Sequence, residues 1–309
     1  MDDITVLVLA NPADPLLAML AALPDATRIV AGDRAESFAD AAPEADVILN
    51  WTGSRELLQK VWGMAPRVRW IHSRAAGLDD LLFPELVESP VALTNAQGVF
   101  SEILAEFVIG AVLHFAKGFR RMVRSQEAGV WDPFDTIQVA GQTMGVIGFG
   151  DIGRAAARCA EAMGMQVLAL RRRSEPARRR ELLERSDYIV LSAPLTPETR
   201  GIVGEAELGA MKPAAVLINV GRGPLVDEAA LIRALRERRI GGAALDVFDQ
   251  EPLPAGHPFY ELDNVLLSAH AADHTPDWKD RAMQVFLDNF ERYRKGAALR
   301  NVVDKRRGY

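Results

Sequence analysis

The chain has 309 residues, 49% hydrophobic and 25% charged, the composition of an ordinary globular protein long enough for two domains with separate cores. A formal net charge of −6 argues against nucleic acid as a general partner, and no apolar run approaches the roughly 20 residues that span a bilayer. The single cysteine, Cys159, leaves no intramolecular disulfide; with the acidic start Met1-Asp-Asp-Ile, unlike a signal peptide, it leads us to expect a cytoplasmic location.

Residues 4–10, 28–30, 47–50, 68–72 and 91–94 are short apolar runs separated by helical stretches, the pattern of a parallel α/β sheet. Ala75-Ala76-Gly77 follows the fourth run. Ligands of open α/β sheets bind at the carboxyl ends of strands, so these small residues are either a simple loop or an anion cradle. Position alone makes Trp51, Arg74 and Trp278 candidates to line a pocket. Residues 101–117 form an amphipathic helix with Ser101 as its expected N-cap, long enough to cross between two domains. Residues 118–136 are less regular, contain Trp131 and Pro133, and suit an arm used in oligomer contact.

The second half turns on Met144-Gly-Val-Ile-Gly-Phe-Gly-Asp-Ile-Gly153. Gly148, Gly150 and Gly153 fall in the spacing G-x-G-x-x-G, after a β-branched run and before an Ala-rich helix. Gly148 would allow the tight turn, Gly150 the approach of a pyrophosphate, and Gly153 close packing of helix on strand. The phosphates would meet the free N–H groups of Asp151 and Ile152 at the helix N-terminus. A purely structural turn is the alternative; the order strand, glycines, helix, strand favours dinucleotide binding.

Further strands at 166–170, 188–193, 215–220, 243–247 and 265–269, with helices such as 227–239 between them, complete a doubly wound sheet. A helix over about 277–295 and a polar tail follow. In NAD-type folds a carboxylate roughly 20 residues past the glycines accepts hydrogen bonds from the ribose. Here that position holds Arg171, followed by Arg172 and Arg173. Guanidinium groups would instead grip a 2′-phosphate, which predicts NADP(H) in preference to NAD(H). The alternative is a solvated basic face continuous with Arg178, Arg179 and Arg180.

Three polar residues stand at or just beyond strand ends: Arg222 in Gly221-Arg-Gly223, Glu251 before Pro252, and His270 after 265–269. Each alone suits a surface turn, a solvated loop or a satisfied core histidine. Together they are the groups that reduction of a 2-keto acid requires. A guanidinium holds carboxylate and carbonyl oxygens, an imidazolium delivers a proton, and a carboxylate orients the imidazole.

The segments Ile218-Asn-Val-Gly-Arg-Gly-Pro-Leu-Val-Asp-Glu228, Gly242-Ala-Ala-Leu-Asp-Val-Phe-Asp-Gln-Glu-Pro252 and Ser268-Ala-His270 resemble the signatures of the D-isomer-specific 2-hydroxyacid dehydrogenases. The likeness includes Trp70-Ile-His-Ser-Arg-Ala-Ala-Gly-Leu-Asp79, Thr94-Asn-Ala-Gln-Gly98 and Leu195-Thr-Pro-Glu-Thr199, and is nearest the glyoxylate/hydroxypyruvate reductase-like branch. It implies two doubly wound parallel-sheet α/β domains. A Rossmann cofactor domain (99–274) would be inserted in a flavodoxin-like substrate domain (1–98 and 275–309).

By the same resemblance Arg222, Glu251 and His270 are catalytic, and Ala76 and Gly77 hold the substrate carboxylate through backbone N–H groups. Asp246 and Val220 would lie at the nicotinamide, Ala193 and Pro194 at the adenosine pocket, and no metal takes part. A homodimer is implied. Ala269 stands where the family usually has proline, and the stretch between Leu170 and Tyr188 is short enough to have lost a strand. The expected activity is NADPH-dependent reduction of a small 2-keto acid to the D-2-hydroxy acid. The rivals are a dinucleotide-sensing, corepressor-like module and a formate dehydrogenase-like enzyme; an acidic Glu251 disfavours the latter.

Overall fold

Short β-branched and leucine-rich runs pair into two sheets, each wholly parallel, in a computed structural model that describes residues 4–79, 81–171 and 176–308. The chain divides into two units: Met1–Val99 with Thr275–Tyr309, and Phe100–His274.

In the first unit, β1 (Thr5–Leu9), β2 (Arg28–Gly32), β3 (Val47–Asn50), β4 (Trp70–Ser73) and β5 (Ala92–Thr94) lie in the order β2-β1-β3-β4-β5. Every residue of β1, β3 and β4 is buried, as expected of parallel strands covered on both faces. Several connections are shorter and tighter than the expected helices: Pro15–Ala22, Ala35–Phe38 and Ala42–Glu44 are 3₁₀ turns, while α1 (Arg55–Met64) and α2 (Pro84–Glu88) are α-helical. Leu7, Ile48, Leu58, Ile71 and Phe83 form part of one core cluster.

The C-terminal helix Trp278–Arg294 buries Met283, Phe286 and Phe290. Phe286 stacks on Trp70 with centroids 5.3 Å apart. Thr94 Oγ1 accepts from Trp70 Nε1 at 2.8 Å and lies 2.7 Å from His72 Nδ1. Burial pushes the His72 imidazole down to about 3, so it is neutral. The tail is tied down beyond this helix: Val303 N donates to Leu93 O at 2.9 Å, and Lys305 Nζ donates to the carbonyls of Leu86, Ser89 and Val91.

The second unit opens with α3 (Ser101–Lys117) and α4 (Phe119–Glu127). Ser101 is the first helical residue of α3, and Phe100 occupies the cap without a side-chain bond, so the expected serine cap does not form. Gly118, at φ 63°, ends α3 in the left-handed conformation and lets α4 begin at once. The helix α4 lies in the stretch expected to be irregular. Its nine residues bury none of their number, although Phe119, Met122 and Val123 recur at helical spacing on one side.

Then come β6 (Thr143–Ile147), α5 (Asp151–Ala162), β7 (Gln166–Leu170), α6 (Pro176–Arg185), β8 (Tyr188–Leu191), α7 (Glu205–Ala210), β9 (Val216–Asn219), α8 (Glu228–Arg236), β10 (Gly242–Leu245) and β11 (Val265–Leu267). Their order is β11-β10-β9-β8-β6-β7. The chain leaves β6 in one direction and resumes with β8 on its other side, which makes the β6–β8 boundary the switch point where such sheets bind ligands. Among the described residues no strand lies between β7 and β8, and no helix is long and apolar enough to cross a membrane.

Candidate active site

Because the strands of the second unit are parallel, the residues that follow them share one sheet edge. In sheet order this edge carries His270 after β11, Asp246 and Glu251 after β10, Val220 and Arg222 after β9, Ala193 and Pro194 after β8, the glycine turn after β6, and Arg171 after β7. The sequence candidates of this unit thus fall along one track. Arg172 lies outside the described residues.

His270 and Glu251 meet directly, with Nδ1 2.6 Å from Oε2. The other carboxylate oxygen, Oε1, accepts from Phe248 N at 2.9 Å, which fixes the plane of the carboxylate. A carboxylate accepts, so Nδ1 carries the hydrogen and Nε2 is left as the nitrogen that can exchange a proton. His270 has φ 49°, a left-handed conformation that is unusual for a non-glycine residue. Buried Asp246 holds that turn: its carbonyl accepts from His270 N at 2.8 Å, and its Oδ1 accepts from Ala271 N and Ala272 N at 3.0 and 3.1 Å. Burial also pushes the neighbouring Asp273 carboxyl up, with the Asp246 charge adding to it and His274 and His270 opposing.

Arg222 sits in a turn built by buried Asn219. The Asn219 Oδ1 accepts from Gly221 N at 3.1 Å, and its Nδ2 donates to Arg222 O at 2.9 Å. The guanidinium Nη1 donates to Gly221 O at 2.8 Å. A Cβ on Gly223 would lie 1.9 Å from the Phe248 carbonyl carbon, so only glycine lets the Arg222 turn rest against the main chain that leads to Glu251. Glu228, the first residue of α8, accepts from Asp249 N at 3.4 Å and faces His257 Nε2 at 3.1 Å, buttressing the same loop.

The glycine turn has the shape that a dinucleotide needs. Gly148 has φ 98° and presses against the backbone of Ala193, and a Cβ on Gly153 would meet Gly148 O at 2.4 Å. A Cβ on Gly150 would meet nothing within 4 Å, so the space over the N-terminus of α5 is open for an anion. Asp151 pairs with Arg154, which offsets the carboxylate beside that N-terminus. The Arg171 guanidinium lies over the Phe149 ring, 5.4 Å from its centroid, next to the same turn. These residues fit a dinucleotide.

In the first unit, Asn95 Nδ2 donates to Ala76 O at 2.6 Å, and Ala96 N to Ala75 O at 3.2 Å. The carbonyls of the small-residue loop are thereby engaged. Among the described residues, the N–H groups of Ala76 and Gly77 donate to no protein acceptor. Such a loop can hold a carboxylate.

Sequence reasoning missed Asn219, Gly223 and Glu228 as positioning residues. The signal for Asn219 was present, a polar residue at the end of an apolar strand; the role of Gly223 depends on a contact with a loop 25 residues away.

A family model, D-isomer specific 2-hydroxyacid dehydrogenase, NAD binding domain, matches residues 109–272. A glyoxylate reductase of Korarchaeum cryptofilum is 34% identical over 262 residues, covering 80% of this chain and 79% of that protein. A D-isomer specific 2-hydroxyacid dehydrogenase of Xanthobacter autotrophicus, solved with NADPH and MES, superposes with a TM-score of 0.84 at 30% identity over the whole of both chains. An NADPH-dependent glyoxylate/hydroxypyruvate reductase of Sinorhizobium meliloti, solved with NADP and sulfate, gives 0.82 at 27% identity, covering 99% of this chain and all of that one.

Proposed function

The chain belongs to the D-isomer-specific 2-hydroxyacid dehydrogenases, and from that premise we propose that it reduces a small 2-keto acid, glyoxylate or hydroxypyruvate, to the D-2-hydroxy acid with NADPH. The observation that carries this reading is the 2.6 Å His270–Glu251 pair, which leaves Nε2 as the proton donor. A nicotinamide held there would supply the hydride. His270 protonates the keto oxygen, and Glu251 holds the imidazole and favours its charged form. Arg222 clasps carboxylate and carbonyl oxygens through its planar fork, and the N–H groups of Ala76 and Gly77 bind the carboxylate. Gly148, Gly150, Asp151, Ile152 and Gly153 would cradle the pyrophosphate, Ala193 and Pro194 would line the adenosine, and Val220 and Asp246 would meet the nicotinamide.

The NADPH preference rests on Arg171 beside the glycine turn, on Arg172 by sequence alone, and on the NADPH and NADP bound by the two solved relatives. One charge-assisted contact is worth roughly 1.5–3 kcal/mol, so Arg171→Ala should lower NADPH affinity about ten- to a hundredfold. The test is kcat/KM for NADPH and NADH with glyoxylate and hydroxypyruvate. Equal use of both cofactors, or an unchanged ratio in Arg171→Ala, would refute the preference. Binding of NADPH with no turnover of any 2-keto acid would favour a dinucleotide-sensing module instead. We also propose a cytoplasmic homodimer. Phe119, Met122, Val123, Val130 and Trp131 expose apolar surface along one stretch, and sedimentation of Val123→Glu against the parent tests their role.

A further inference from the structure

Trp51 and Arg74 are the first residues beyond two adjacent strands. Asn50 pairs with Ser73 in the register of β3 and β4, and Arg74 N donates to Asn50 O at 3.4 Å. The Arg74 guanidinium lies within cation–π reach of two indoles, 5.7 Å from the Trp51 ring centroid and 5.8 Å from that of Trp278. Trp51 is a fixed wall: it is fully buried, and its Nε1 donates to Asp14 Oδ2 at 3.0 Å. The other Asp14 oxygen accepts from Leu16 N at 3.0 Å, so this carboxylate is occupied in holding the wall. On Trp278, Lys279 Nζ adds a second cation 5.6 Å from the ring centroid.

Two aromatic rings within cation–π reach favour the charged guanidinium there, and its N–H groups remain the part that can bind a ligand. Among the described residues those groups donate no hydrogen bond, and no carboxylate lies within ion-pair distance of them. Burial weakens the hold of Arg74 on its proton, and the charge of Asp14 opposes that. Arg74 is half-buried, and its planar fork of donors is free to take an acceptor from a bound ligand. Two and three residues further on stand the N–H groups of Ala76 and Gly77.

We propose that Arg74 is a specificity-determining residue that receives a second carboxylate at the far end of the substrate, so that the preferred substrates are 2-keto dicarboxylic acids. This rests on the reading of the chain as a 2-keto acid reductase. The loop N–H groups serve the carboxylate next to the keto carbon. Arg74 adds a full charge in a fork that matches a further carboxylate bidentately, and a monocarboxylate leaves that charge unanswered.

The test compares substrates of equal length: 2-oxoglutarate against 2-oxopentanoate, and oxaloacetate against 2-oxobutyrate, with glyoxylate as a short reference. In the parent, kcat/KM for each diacid should exceed that of its neutral partner at least tenfold. Arg74→Met keeps an unbranched stem beside the indoles and removes charge and donors; it should lower the diacid-to-neutral ratio about ten- to a hundredfold. Arg74→Lys, which keeps the charge and loses the fork, should fall between, and it serves where Arg74→Met fails to fold. A parent ratio near one, or a ratio unchanged in both variants, overturns the proposal while glyoxylate reduction stands. Equal loss on diacid and neutral substrates also overturns it, since Arg74 would then grip the first carboxylate. If no keto acid is turned over, the reductase reading fails. Tryptophan fluorescence titrated with 2-oxoglutarate then decides: quenching in the parent that is lost in Arg74→Met supports the anion site, and no quenching refutes it.

Discussion

A partner at one imidazole nitrogen orients the ring and presents the other nitrogen for proton transfer, and Glu251 holds Nδ1 of His270 at 2.6 Å while Phe248 N holds Glu251. His270→Ala should lower kcat by roughly 10²–10⁴, the usual scale for a general acid. Glu251→Gln keeps an acceptor and drops the charge, so the pH profile of reduction should move; a superimposable profile would remove Glu251 from proton transfer. Arg222→Lys should raise the substrate KM and lower kcat with NADPH affinity unaltered, and kinetics with each ligand varied in turn separate the two effects. The three side chains were legible in the sequence because each is a polar residue just past an apolar strand. Asp246 was legible only as a residue implied to meet the nicotinamide. Its hold on Ala271 N and Ala272 N depends on the left-handed turn at His270, which no local pattern announces.

At the scale of elements, the glycines divide by what surrounds them. Gly150 faces open space, whereas Gly153 and Gly223 face backbone. Gly150→Ala should therefore leave the thermal unfolding of the free protein nearly unchanged and weaken NADPH binding. Gly223→Ala must displace the Phe248 main chain, so both Tm and kcat should fall together. Thermal melts and NADPH titrations of the two variants check this contrast, and a normal Tm in Gly223→Ala would contradict it. The strands of both sheets were legible from their apolar runs. Less so were α4, which buries nothing, and the N-terminus of α3, where Ser101 lies one position inside the helix. The helical spacing of Phe119, Met122 and Val123 was there to read in α4, but it lies in a helix of only nine residues and follows Gly118. A shift of one residue at a helix start leaves no trace in spacing.

For the molecule as a whole, His72 couples stability to acidity. Its ordinary value of 6.5 is lowered to about 3 by burial, so between those values the unfolded chain binds the proton and the folded chain does not. Stability from this group is complete above about pH 6.5 and is lost as pH falls toward 3, at up to about 1.4 kcal/mol per pH unit. Melts of the parent and of His72→Leu from pH 7.5 to 4.5 should show the parent losing more; parallel losses would exclude His72. The same unit that buries this histidine is assembled from both ends of the chain, Met1–Val99 and Thr275–Tyr309. On a ribosome, that arrangement becomes a matter of time. Every strand and helix of the second unit has been made by residue 274, while the first still lacks the helix that stacks on Trp70 and the tail whose Val303 bonds Leu93. The unit begun earlier is thus completed later, and Trp70 and His72 wait without the helix that packs on them through the making of residues 100–274, the interval in which a chaperone would matter most.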